Sequence, residues 1–107
     1  MSGMDDREKG FEGRFAHDQD IEFKATARRN KLLGLWAADR MGKTGADAEN
    51  YAKEVVKADF EEAGHEDVYR KVKGDFDREN VEVSEHQLRR KMDELMAVAR
   101  EQVKSEG

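Results

Sequence analysis

Apolar positions are sparse along this chain, and where they recur they keep the three- and four-residue steps of a helix. Ile21, Ala25, Leu32, Leu35 and Trp36 follow that spacing, with Asp18 placed as an N-cap and Gly42 as a stop, so a long first helix is expected over roughly residues 19–41. Gly42 and Gly45 frame a short turn. Tyr51, Ala52, Val55, Val56, Ala58 and Phe60 then mark a second amphipathic helix that ends at Gly64. Val68, Val72 and Phe76 stand four apart and form one stripe on a shorter third helix, about residues 66–78, which Gly74 weakens. Asn80 to Val83 reads as a loop. Ser84 with Gln87 three residues later matches a capping box, and Leu88, Met92, Leu95, Ala99 and Val103 line the buried face of the fourth helix. Alternation at period two is confined to Val81-Glu82-Val83, too short for a sheet. The pattern predicts an all-α chain. Connections this short place successive helices side by side and antiparallel, so a four-helix bundle is expected over residues 18–107.

Residues 1–17 break the pattern. They contain Gly10 and Gly13 and few apolar groups apart from Phe11 and Phe15, so a flexible N-terminal segment is expected in the free protein. Phe11 and Phe15 are four apart and share one face once the segment is helical. Aromatic anchors in a mobile, charged segment suit a helix that forms in a partner's groove.

Composition narrows the function. With 42% charged and 36% hydrophobic residues in 107, the chain can build a thin helical core and no large internal cavity. It has no cysteine and no proline, which removes disulfides, thiolate nucleophiles and thiolate metal sites. Basic and acidic residues, 20 against 25, are interspersed at a net charge of −5, so no global field attracts nucleic acid. No apolar run approaches the ~20 residues that span a bilayer, and Met1 to Lys9 is polar, unlike a signal peptide. A cytoplasmic, monomeric protein without membrane insertion is expected.

Candidate chemistry is thin. Gly42-Lys43-Thr44 resembles the end of a phosphate-binding loop, but Ala37 stands where its first glycine belongs and the preceding stretch is helical, so a helix-ending turn is expected. His17, His65 and His86 form no close pair, and no metal site is expected. The acidic pairs Asp5-Asp6 and Glu61-Glu62 lack a pocket to shift their pKa values, and no catalytic residue or cofactor is assigned. Arg28-Arg29-Asn30-Lys31 and Arg89-Arg90-Lys91 read as solvated helix faces or as docking surfaces for carboxylates or nucleotide phosphates. Trp36 reads as core.

Several uncommon runs in order carry a resemblance over nearly the whole chain. Asp5-Asp6-Arg7-Glu8, Phe15-Ala16-His17-Asp18, the run from Arg28 to Ala38 and the run from Glu54 to Glu62 resemble the zeta subunit of alphaproteobacterial F-type ATP synthases, as do Glu66-Asp67-Val68, Val83-Ser84-Glu85 and Arg89-Arg90-Lys91-Met92. The resemblance implies a non-catalytic inhibitor: a four-helix bundle with a mobile N-terminus that enters the catalytic head between alpha, beta and gamma subunits and stops ATP-driven rotation. It places the protein in the cytoplasm, peripherally associated with the membrane-bound synthase. Carried over position by position, it implies a partner-binding set of Asp5, Asp6, Arg7, Glu8, Phe11, Phe15, Ala16, His17 and Asp18. It also implies weak adenine nucleotide binding in some members. Gly10 and Gly13 depart from the family pattern, which has better helix formers there. If the bound segment is helical, each costs about 1 kcal/mol against alanine, together about 30-fold in affinity. The alternative functions are a helical adaptor or an adenine-nucleotide-sensing domain with another cytosolic partner.

Overall fold

The amphipathic stretches fold as helices on the expected plan. The computed structural model describes the backbone of residues 3–61 and 65–106 and the side chains of residues 19–59 and 66–106. The described residues form four helices and no strand: α1 (Gly3–Arg40), α2 (Gly45–Glu61), α3 (His65–Arg78) and α4 (Glu85–Glu106). The chain is an all-α four-helix bundle in which α1 packs mainly on α2 and α4.

One boundary differs from the periodicity. α1 begins at Gly3, so Asp18 occupies an interior helical position and does not cap it. No proline interrupts this stretch, and a helix can continue through glycine at about 1 kcal/mol each. Apolar spacing marks where α1 has packing partners, not where it starts. The expected mobility concerns residues 1–17, whose side chains lie outside the described residues.

The helix ends follow their local chemistry. At the end of α1, Gly42 adopts φ +77° and the Lys43 N–H donates to the Ala38 carbonyl at 2.8 Å, a left-handed C-cap. α3 ends the same way on Asn80, at φ 59°, with the Val81 N–H donating to the Phe76 carbonyl at 2.8 Å. The capping box of α4 forms: the Gln87 N–H donates to Ser84 Oγ at 3.1 Å, and the Ser84 N–H donates to Gln87 Oε1 at 3.0 Å.

The main core gathers Leu33, Ala37 and Ala38 of α1, Tyr51 and Val55 of α2, Val68, Val72 and Phe76 of α3, and Leu88 and Met92 of α4. Trp36 packs edge-on against Phe76, ring centroids 5.7 Å apart, and is only half-buried. A smaller cluster of Ala25, Ala99 and Val103 ties α1 to the far end of α4. Leu33 is the fully buried leucine of α1, whereas Leu32 and Leu35 are half-buried. The buried arc of α1 is wide because it faces two neighbouring helices, and a single stripe understates it.

Two features of the core are polar or close. The Tyr51 hydroxyl donates to Asp75 Oδ2 at 2.7 Å, and Lys71 and Arg78 also reach this buried carboxylate. Burial pushes the Tyr51 phenol well above its usual value, with Glu54 adding to the shift and Arg78 opposing it. At Gly34, α1 and α2 approach so closely that a Cβ there would sit 2.5 Å from the Ala52 Cα.

Candidate partner-binding site

All residues of the sequence-derived binding set, Asp5, Asp6, Arg7, Glu8, Phe11, Phe15, Ala16, His17 and Asp18, fall within α1. Their side chains lie outside the described residues. The structure does show how the following part of α1 is held. Glu22 receives two hydrogen bonds from Arg100 of α4, both at 2.9 Å, which hold its carboxyl below the usual range. Arg28 donates to Gln102 at 3.0 Å and to Glu106 at 2.7 Å. Together with Ala25 against Ala99 and Val103, these contacts fasten α1 to α4 directly after the N-terminal segment.

The dense basic runs are largely engaged inside the molecule. Arg89 donates to both oxygens of Glu66, at 2.8 and 3.1 Å, also reaches Glu85, and lies 4.1 Å over the Tyr69 ring. The bond from Arg89 holds the Glu66 carboxyl below the usual range. Arg90 and Lys91 both reach Glu94. Arg29 is buried, and its Nε donates to Asn30 Oδ1 at 2.7 Å. Burial lowers the Arg29 pKa, while Asp59 and Asp93 oppose the shift. Arg29, Arg89 and Arg100 line a cleft of about 570 Å³ together with Glu66 and Asp93, so acids share the space with the arginines.

Gly42-Lys43-Thr44 is a helix-ending turn. The N–H groups of Gly42 and Lys43 donate to the carbonyls of Asp39 and Ala38, which leaves them unable to cradle a phosphate. Among the described residues no group of three or more His, Asp or Glu side chains is placed to hold a metal ion, and no helix is long and apolar enough to cross a membrane.

The periodicity missed the side of α1 and α2 that faces solvent. Phe23 is 66% exposed and borders a groove of about 230 Å³ with Ala27 and Val56. Val56, read from sequence as part of the second helix's apolar set, is half-buried in that groove. The available signal was Phe23 itself, a large aromatic between Glu22 and Lys24 and off the buried face.

A family model described as ATPase inhibitor subunit zeta matches residues 1–102 of the chain. Among solved structures, one determined by solution NMR is 57% identical, with a TM-score of 0.71, and the match covers 81% of this chain and 99% of that one. No curated protein matches.

Proposed function

Because the chain belongs to the ATPase inhibitor subunit zeta family, we propose that it inhibits the F-type ATP synthase by inserting its N-terminal segment into the catalytic head, blocking ATP hydrolysis without catalysis of its own. The observation that carries this reading is that the family match begins at residue 1, so it includes the segment with Phe11 and Phe15 as well as the bundle.

The mechanism follows from how α1 is built. Phe11 and Phe15, four apart on a helix, present one apolar face, and buried aromatics dominate the energetics of such interfaces. Asp5, Asp6, Arg7 and Glu8 fix register through charge complementarity, and Ala16, His17 and Asp18 join the inserted part to the bundle. The helical backbone continues from Gly3 to Arg40, and the Glu22–Arg100 and Arg28–Glu106 pairs anchor its lower half to α4. An inserted segment would therefore be coupled to a body too large to follow it, which resists rotation. The partner surface is the junction of alpha, beta and gamma subunits, and the bundle stays on the cytoplasmic side as a peripheral monomer.

A nucleotide-sensing reading has less support, since Arg28, Arg89 and Arg100 already hold carboxylates. An adaptor with another partner is separated by capture from a lysate that contains the synthase. Full-length protein retains the synthase, and a chain lacking residues 1–18 loses most of it. Equal retention by both would show that the N-terminal segment is not the binding element.

A further inference from the structure

Most basic side chains of the bundle reach a carboxylate within the chain, Lys24, Lys71, Lys73 and Lys91 among them. Lys31 of α1 and Lys53 and Lys57 of α2 are exposed and make no ion pair among the described residues. These three line one groove of about 360 Å³ whose floor is Ala52 and Val56, with Glu49 as the acid at its rim. Val56 continues into the smaller groove bordered by Phe23. The two grooves thus meet at Val56 along α1 and α2, with the exposed Phe23 beside Glu22 and Asp59 at one end and three lysines against the single acid Glu49 at the other.

Three lysines that make no ion pair among the described residues, beside an apolar floor, favour an acidic, amphipathic occupant at the Lys31–Lys57 end of the groove. A groove between two helices accepts the apolar row of a third helix. The groove also lies on the same helix as the N-terminal segment, whose positions 11, 15 and 19 precede Phe23 at steps of four along the sequence of α1. A partner that receives Phe11 and Phe15 meets Phe23 next.

We propose that the α1–α2 groove from Phe23 to Lys57 is a second docking site, which takes an acidic amphipathic helix of the synthase's catalytic head. The proposal rests on the inhibitory reading above and adds a contact made by the bundle itself. Its lysines steer the encounter, and its apolar floor prolongs the complex by holding a second point of a partner already engaged by the N-terminal segment.

The test titrates ATP hydrolysis by purified synthase with the full chain, with Lys31→Glu/Lys53→Glu/Lys57→Glu, and with Phe23→Ala, each at low and high salt. The full chain inhibits. Charge reversal weakens inhibition by roughly 10-fold or more at low salt and by less at high salt, and Phe23→Ala weakens it several-fold at both. Melting should be unchanged, since all four side chains are exposed; if charge reversal lowers it, Lys→Gln at the same positions carries the test. Full inhibition by the parent and equal inhibition by both variants would overturn the second site and leave the inhibitory function standing. No inhibition by the parent would overturn both.

Discussion

Gly34→Ala tests the packing at its tightest point, because general helix propensity and this structure give opposite signs. Alanine in place of glycine within a helix ordinarily stabilises by about 1 kcal/mol. At Gly34 the added Cβ would lie 2.5 Å from the Ala52 Cα, 3.1 Å from the Ala52 Cβ and 3.3 Å from Val55 Cγ2. Carbon atoms rest at about 3.5 to 4.0 Å, so α1 and α2 must part by roughly 1 Å. The nearest atom is backbone, and no rotamer change relieves it. Overpacking costs about 1 to 3 kcal/mol, and a backbone clash belongs at the upper end. After subtracting the propensity gain, Gly34→Ala should destabilise by about 2 kcal/mol, lowering the melting temperature by roughly 8 to 16 °C for a domain of this size. Gly74 is the internal control, since its added Cβ would meet only Arg78 Nη1 at 3.7 Å. Gly74→Ala should stabilise by about 0.5 to 1 kcal/mol. Urea denaturation followed by circular dichroism reports both. If Gly34→Ala proves as stable as the parent, the close approach of α1 and α2 is wrong.

Further expectations concern the core, pH and the inserted segment. Leu33→Ala should cost about 2 to 5 kcal/mol in chemical denaturation, and Leu32→Ala distinctly less because Leu32 is half-buried; equal losses would mean the buried arc of α1 is misplaced. Hydrogen bonds from Arg100, Arg89 and Arg28 hold the carboxyls of Glu22, Glu66 and Glu106 below their ordinary range, so these groups stabilise the fold above the unfolded carboxylate pKa and lose that contribution as pH falls. The melting temperature should fall below about pH 4.3, with a shallower fall in Glu22→Gln/Glu66→Gln/Glu106→Gln. An unchanged acid limb in that variant would remove these pairs from the explanation. Gly10→Ala/Gly13→Ala should lower the half-inhibitory concentration in an ATP hydrolysis assay by about 30-fold, and weaker inhibition would show that the bound segment is not a continuous helix.

The parts of the fold that depend on neighbouring residues were legible in the sequence. Val68, Val72 and Phe76 are all fully buried, as their spacing of four predicts, and Gly42 and the Ser84 and Gln87 pair perform the stop and start their residue types favour. What depends on the third dimension was not. Arg29 and Asn30 stand in a strongly basic run yet are buried, because α1 is covered from two sides and their own polar atoms pair at 2.7 Å. Gly34 looks like a weak helix position until Ala52 is placed against it. The ion pairs Arg28–Glu106 and Glu22–Arg100 join the two ends of the chain, and no local pattern announces them. The candidate site divides the same way. Phe11 and Phe15 stand out by their spacing and their polar surroundings, whereas the lysine groove exists only once α1 lies beside α2.

Whether the N-terminal segment of α1 blocks ATP hydrolysis through its two aromatic anchors is decided by a single titration. Purified synthase from the source organism is assayed for ATP hydrolysis with increasing full-length protein and, in parallel, with Phe11→Ala/Phe15→Ala, the melting of each being recorded. The parent should inhibit, and the double variant should lose most inhibition while melting with the parent, because both positions lie upstream of the α1 residues that pack in the bundle core. Equal inhibition by the two proteins, or none by the parent, would contradict the claim.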